Sequence, residues 1–180
     1  TLDVDFVAYA GEHFDRLRAQ ACGGLRGEVL EIGFGSGLNL PHLPPDGTLV
    51  RAIEPAGVGW DLSRRRREAA TFPVEHGGLD GQRLDAENAA YDAVLSTFTL
   101  CSIPDVALAL SEVRRVLRPG GMLHFLEHGL APDQTVVAWF VATDAGLPPR
   151  FFQRVIDEAT GLPGVVSSSF SASVPLWNGW

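Results

Sequence analysis

Short apolar runs alternate with amphipathic stretches along most of this chain. Apolar runs bounded by glycine or polar residues predict buried strands, and apolar residues three or four positions apart predict helices. Phe6, Ala10 and Phe14 recur at helical spacing, so a leading helix is expected over residues 3–24, where two glycines stop the pattern. The same patterns predict strands near 28–33, 48–54, 72–76, 91–98 and 122–127, and helices from 37, over 57–70 and over 105–117.

The alternation of strands and helices predicts an α/β fold, a parallel sheet covered by helices on both faces. A helix near 150–160 and a strand near 165–174 continue the pattern. With 180 residues, 46% of them apolar, the chain is expected to form one domain over 1–180. Ligands of such sheets bind beyond the carboxyl ends of the strands. The residues predicted at those ends are Gly33, Glu54, Asp80 and Glu127.

The charge and composition exclude several classes of function. A formal net charge of −8 argues against a nucleic-acid partner, which requires a basic surface. The one basic run, Arg64–Arg67, is interpreted as a solvated helix face, with an RNA or membrane contact as the alternative. Cys22 and Cys101 lack metal-like spacing and are expected to be free thiols, and no metal site is predicted. Without an apolar run of about 18 residues or a leader pattern, a soluble cytoplasmic protein with no membrane span is expected.

A glycine-rich turn follows the first predicted strand. The segment from Glu31 to Gly37 reads Glu-Ile-Gly-Phe-Gly-Ser-Gly, and Glu54 closes the second predicted strand. Glycines there let backbone N–H groups approach a ligand, and an acidic side chain about 20 residues later is placed to accept hydrogen bonds from ribose hydroxyls. The full dinucleotide fingerprint and a phosphate-loop Lys-Ser/Thr are both missing, so the turn predicts a nucleoside site without phosphate cradling.

The acidic-apolar-Gly-x-Gly-x-Gly pattern resembles motif I of class I S-adenosylmethionine-dependent methyltransferases. Further segments resemble other parts of that family, and Thr99–Pro104 with Glu127–His128 are similar to the small type-11 subgroup related to vertebrate thiol S-methyltransferases. The resemblance covers residues 27–130 well and the flanks loosely. The segments that resemble the family elsewhere are Asp80-Gly-Gln-Arg-Leu84, Tyr91-Asp-Ala-Val-Leu95 and Val113-Arg-Arg-Val-Leu-Arg-Pro-Gly-Gly121.

This resemblance implies a Rossmann-like fold with a mostly parallel seven-stranded sheet and S-adenosylmethionine as cofactor. It divides the domain into a leading helix (1–26), a cofactor-binding core (27–130) and an acceptor-side region (131–180). The glycine turn would hold the methionine end of the cofactor, Glu31 would lie beside its amino group, Asp80 would meet the adenine amino group, and Thr97 would line the methionine pocket. The complete set of predicted cofactor-binding residues is Glu31, Gly33, Gly35, Gly37, Glu54, Pro55, Asp80, Gly81 and Thr97.

Simpler interpretations of these residues stay open. Glu31 could cap its strand, Asp80 could belong to an ordinary turn, and His128 could be a structural histidine rather than the base that removes the acceptor's proton. His128 is nevertheless the candidate catalytic residue, since it follows Glu127 at the end of the fifth predicted strand.

The expected partner is a small-molecule methyl acceptor. A thiol is favoured, because thiolate forms near neutral pH and requires little help from a base. An oxygen or carbon acceptor such as a quinone precursor or secondary metabolite, a cofactor-binding protein without catalysis, and a nicotinamide oxidoreductase are the alternatives. The segment 145–151 lacks the Gly-Cys-His stretch that borders the acceptor pocket in similar proteins, which bears on the substrate and not on the cofactor.

Overall fold

The computed structural model describes residues 14–45, 48–128 and 135–141. Within them, six strands form one sheet in the order β3-β2-β1-β4-β5-β6. The strands from β1 to β5 run parallel to their neighbours, and β6 is antiparallel to β5. The strands are β1 (Gly27–Ile32), β2 (Thr48–Ile53), β3 (Val74–Gly78), β4 (Tyr91–Thr97), β5 (Leu117–His128) and β6 (Thr135–Val141). The helices are α1 (14–22), α2 (Gly57–Leu62), α3 (Arg64–Ala69) and α4 (Val106–Val116).

The central strands are apolar on both faces because helices cover both sides of the sheet. Leu30 and Ile32 of β1 belong to a core that includes Val113 of α4, whereas Val29, which precedes Leu30 and points to the opposite face, packs with Ala21 of α1. Successive side chains of a strand point to opposite faces, so a buried parallel strand becomes a continuous apolar run. This arrangement confirms the predicted α/β, Rossmann-like class.

The helix predicted from residue 37 is not present. Turns lead instead into a short 3-10 helix, Leu40–His42, and Leu43 is extended with ψ of 141°. The cause is the proline content: Pro44 disfavours a helical conformation for the residue that precedes it, and neither Pro41 nor Pro44 can donate a backbone hydrogen bond.

The helix predicted over 57–70 divides at Ser63 into α2 and α3. The Ser63 hydroxyl donates to the carbonyl oxygen of Trp60 at 2.6 Å, a local bond that competes with the regular helical pattern. The interruption is slight, because Ser63 N–H still donates to Gly59 and Arg67 N–H donates to Ser63.

Strand β6, which the sequence patterns did not indicate, pairs with β5 in the antiparallel direction. His128 pairs with Thr135 at one end of the two strands, and Met122 pairs with Val141 at the other end. The described part of the chain contains six strands, whereas the family resemblance implies seven. The predicted elements at 150–160 and 165–174, the segment 145–151 and the leading helix before residue 14 lie outside the described residues. None of the helices described is long and apolar enough to cross a membrane.

Candidate cofactor site

A cleft of about 420 Å³ opens at the carboxyl ends of the parallel strands. Because β1, β2, β3 and β4 run in the same direction, the loops that follow them meet at one edge of the sheet. Five of the predicted cofactor-binding residues line this cleft, namely Gly33, Glu54, Pro55, Asp80 and Gly81. The lining residues that were not predicted are Ile32, Ile53, Leu79, Gln82, Phe98, Thr99, Ser102, Ile103 and Pro104.

The three glycines of the turn have positive φ angles but different surroundings. At Gly33 (φ +72°) a Cβ would collide with the side chain of Thr99, and at Gly37 (φ +74°) it would press on Phe34, Leu40 and Ser63 at 3.2 Å. At Gly35 (φ +55°) the nearest atom to a Cβ would be the Gly33 carbonyl oxygen at 4.0 Å. Gly33 and Gly37 are thus required by packing, while the space beside Gly35 is open to a ligand.

Glu54 links the end of β2 to this turn. Its Oε2 accepts the backbone N–H of Gly35 at 2.5 Å, and its Oε1 accepts the N–H of Ala56 at 2.7 Å. Glu54 is almost fully buried and still lines the cleft. A carboxylate has about four acceptor positions, so two remain for ligand hydroxyls. The predicted ribose contact is compatible with this geometry and stays a prediction.

Asp80 and Gly81 form a turn at the edge of the cleft. Asp80 is exposed, and its Oδ1 accepts the backbone N–H of Gln82 at 2.8 Å. This is the ordinary turn that the simpler interpretation described. Gly81 is required by packing, because a Cβ there would lie 2.8 Å from Ile32. The hydrogen bonds of this turn use only Oδ1 of Asp80 and leave its Oδ2 unused. The predicted contact between Asp80 and the adenine amino group remains a prediction.

Glu31 and Thr97 do not line the cleft but meet in a buried polar cluster with Arg18 and Asn39. Asn39 Nδ2 donates to Glu31 Oε1 at 2.8 Å and to Thr97 Oγ1 at 2.9 Å. Arg18 Nη1 donates to Asn39 Oδ1 at 2.7 Å and to Thr97 Oγ1 at 2.9 Å. The network joins α1 to β1, β4 and the turn region. Sequence patterns did not reveal Arg18 or Asn39, since neither belongs to a recognisable motif.

Burial changes the protonation of Glu31. Desolvation raises the pKa of this carboxyl to about 8, against the opposing effects of the Asn39 hydrogen bond and the Arg18 charge. Its Oε2 is buried and has no hydrogen-bond partner among the described residues. An unpaired buried carboxylate oxygen is costly, so the protonated form is favoured near neutral pH.

The loop after β4 is held in place by Glu127 of β5. Glu127 Oε1 accepts the backbone N–H groups of Thr99 at 3.0 Å and Leu100 at 2.9 Å. Phe98 has a positive φ of 53°, and its ring contacts Phe14 of α1 edge-on at 5.2 Å. Glu127, predicted at the same strand-end site, therefore supports the wall of the cleft. Local sequence gave no indication that Phe98 and Thr99 form this wall.

His128 is the last residue of β5, and its side chain lies outside the described residues. Two other side chains that can ionise, His124 of β5 and Cys22 of α1, are buried in the core. His124 Nδ1 lies 2.7 Å from the Ala21 carbonyl oxygen, and burial lowers the pKa of this histidine. Burial likewise raises the pKa of the Cys22 thiol well above its usual range. No group of His, Cys, Asp or Glu residues in the described ranges is arranged to hold a metal ion.

The cleft fits a nucleoside cofactor. Its volume, the free acceptor positions of Glu54 and the apolar walls from Leu79 and Ile103 together suit a base and a ribose, whereas Gly35 and Gly37 are not among the residues that line it. No arginine lines the cleft in the described part of the chain.

Comparison with known sequences gives a consistent result. Residues 30–125 match the family described as methyltransferase domain. The human thiol S-methyltransferase TMT1A is 32% identical over 137 residues, which cover 73% of this chain and 50% of that protein. The human thiol S-methyltransferase TMT1B is 35% identical over 109 residues, covering 58% and 43%. The ubiquinone biosynthesis O-methyltransferase of Methylocella silvestris is 32% identical over 109 residues, covering 61% and 42%. The chain spans about half the length of these curated relatives.

Solved structures agree on the fold. The YcgJ protein from Bacillus subtilis superposes with a TM-score of 0.58 at 19% identity, covering 68% of this chain and 53% of that one. An arsenic(III) S-adenosylmethionine methyltransferase from Chlamydomonas reinhardtii superposes with a TM-score of 0.51 at 25% identity, covering 58% and 40%. The family match extends over more than half of the chain and includes the glycine turn, Glu54 and the β4 wall of the cleft. This chain belongs to the methyltransferase-domain family, whose cofactor is S-adenosylmethionine.

Proposed function

We propose that this protein transfers the methyl group of S-adenosylmethionine to a small-molecule acceptor, and that the acceptor is a thiol. The observation that carries the methyl-transfer proposal is that Glu54, which lines a nucleoside-sized cleft together with Gly33, also accepts the backbone N–H of Gly35. The thiol is supported by the similarity of this chain to two human proteins named thiol S-methyltransferases, which are 32% identical over 137 residues and 35% identical over 109 residues.

The proposed contacts of the cofactor follow from the walls of the cleft. Glu54 would accept the ribose hydroxyls through the acceptor positions that Gly35 and Ala56 leave free. Pro55, Asp80 and Gly81 would border the base. The methionine end would extend over the open side of Gly35, with Glu31 and Thr97 behind the turn.

The bound cofactor supplies a sulfonium methyl group that is already activated for displacement. The chain's own task is to orient the acceptor and to exclude water, and orientation alone can contribute about 7–11 kcal/mol in favourable cases. Neither a histidine nor a lysine is among the described residues that line the cleft. An acceptor that ionises readily suits such a site, because a thiol with a pKa of about 8.5 is partly thiolate at neutral pH.

An oxygen acceptor is the second candidate. Its support is the similarity to an O-methyltransferase of ubiquinone biosynthesis. A hydroxyl group requires a base, and His128, at the end of β5, would have to provide it.

Two measurements on the whole protein test the proposal. Isothermal titration with S-adenosylmethionine and, separately, with NADH should give saturable binding for the first only. Incubation with labelled S-adenosylmethionine and a panel of aliphatic thiols, phenols and quinols should then yield labelled thioethers. Binding of NADH alone would overturn the methyl-transfer proposal, and labelled ethers without thioethers would replace the thiol with an oxygen acceptor. Cofactor binding with no product from any acceptor would favour a non-catalytic binding protein.

A further inference from the structure

The four arginines of α3 do not form a uniform solvated face. The side chains of Arg64 and Arg65 are exposed and make no hydrogen bond or ion pair in the part of the chain that the structure describes. Arg66 and Arg67 are partly buried and turn inward. One charged run thus contains two solvent-facing cations and two that contact the protein, which a pattern of charges along the sequence does not distinguish.

Arg66 contacts the glycine turn directly. Its Nη1 donates to the carbonyl oxygen of Ser36 at 3.2 Å, on the residue that follows Gly35. Glu54 accepts the N–H of Gly35, so adjacent residues of the turn are held from two different elements. A hydrogen bond from a guanidinium group is charge-assisted and stronger than one between neutral partners.

Arg67 contacts the same turn through an aromatic side chain. Its guanidinium lies 3.8 Å from the centre of the Trp60 ring, and its Nε donates to Ser63 Oγ at 2.8 Å. The Trp60 ring in turn packs on Phe34, the residue between Gly33 and Gly35, with ring centres 5.6 Å apart. Trp60 is therefore fixed between a cation–π contact and the turn.

We infer that Arg66 and Arg67 are positioning residues that hold the glycine turn in its cofactor-binding conformation. A segment with three positive-φ glycines loses much conformational freedom when it is ordered, so contacts that fix it before the cofactor arrives improve affinity. Neither arginine lines the cleft, and so neither is assigned a contact with the cofactor. The inference rests on the proposed binding of S-adenosylmethionine in that cleft.

The four arginines provide a matched experiment. Arg64→Gln, Arg65→Gln, Arg66→Gln and Arg67→Gln each remove one positive charge from the same helix. Titration calorimetry with S-adenosylmethionine at constant ionic strength is expected to show a Kd about three- to tenfold higher for the Arg66 and Arg67 variants. The Arg64 and Arg65 variants should stay within about twofold of the original protein, and Arg66→Lys, which can still donate to Ser36, should recover part of the loss.

Hydrogen exchange at the Gly37 amide separates positioning from a general loss of stability. This N–H donates to the Phe34 carbonyl oxygen at 3.0 Å and reports opening of the turn. In Arg66→Gln without cofactor it should exchange faster, while amides of α4 exchange at the original rate. An equal increase in Kd for all four arginine variants, or faster hydrogen exchange throughout the protein, would overturn the inference. An unchanged Kd for Arg66→Gln in a protein that binds the cofactor would do so as well, whereas no binding by the original protein would refute the proposed function itself.

Discussion

The carboxylate of Glu54 accepts the backbone N–H of Gly35 at 2.5 Å, across 19 positions of sequence. The bond joins the end of β2 to the turn after β1, two strands that are paired in parallel with Ile32 beside Ile53. The residue proposed to bind ribose therefore also fixes the turn proposed to hold the methionine end. A change at Glu54 is expected to affect both ends of the cofactor site.

Replacement of Glu54 by alanine should weaken S-adenosylmethionine binding by tenfold or more. Each lost charge-assisted hydrogen bond is worth roughly 1.5–3 kcal/mol, and the turn loses its support as well. Titration calorimetry on the folded variant measures the effect. Glu54→Gln is the control: its amide oxygen can still accept one N–H, so an intermediate affinity is expected. Unchanged affinity in the alanine variant would exclude the ribose contact.

Replacement of Gly35 by valine should abolish cofactor binding with the fold retained. The space beside this residue is open, and a side chain there would occupy the proposed path of the methionine end. Gly24 provides a matched control, because it too has a positive φ (+83°), and no atom lies within 4 Å of the position that a Cβ would occupy there. Both variants carry similar backbone strain. Circular dichroism with calorimetry should show that Gly24→Val still binds the cofactor, and equal binding by both variants would make the Gly35 turn a packing feature only.

Glu31 should make the stability of the protein depend on pH. Burial raises the pKa of its carboxyl from 4.5 to about 8, so the native state keeps a proton that the unfolded chain releases. Its contribution to the free energy of unfolding is complete below about pH 4.5 and is lost as the pH rises toward 8, by up to a few kcal/mol. Glu31→Gln cannot titrate and should flatten this decline. Urea unfolding at intervals from pH 5 to pH 8 tests the prediction, which is wrong if both proteins lose stability at the same rate.

Replacement of His128 by asparagine should distinguish the two acceptor classes. With a thiol acceptor, turnover at pH 8 should fall about tenfold or less, because the thiolate forms without a base. With an oxygen acceptor that relies on His128, the loss should be about 10²–10⁴-fold, the usual range for removal of a general base. The pH profile adds a check: a thiol reaction should become faster toward pH 8.5 even in the variant. A flat profile with a large loss would contradict the thiol proposal.

The sequence by itself determined the order of the elements from β1 to β5 and the edge of the sheet where the candidate site lies. Apolar runs such as 29–32, separated by amphipathic helices, specify parallel strands buried on both faces, because each side chain of such a strand meets a covering helix. Glu54 and the glycine turn could be assigned to one site from sequence because the strand ends of a parallel sheet share an edge. Two departures were local in origin: prolines prevent the helix after Gly37, and Ser63 divides α2 from α3. A third, strand β6, depends on its pairing with β5.

Only the tertiary structure decided which side chains complete the site and which merely support it. Arg18 meets Thr97 across 79 positions of sequence, and Thr99 fills the space that a Cβ at Gly33 would need. Asn39 places Glu31 in a buried cluster rather than in the cleft. Periodicity and turn residues reflect interactions between near neighbours in the chain, whereas these contacts depend on how α1 and the β4 loop pack on the sheet. The run Arg64–Arg67 shows the same limit: charge alone places it on a helix surface, and packing decides which arginines turn toward the glycine turn.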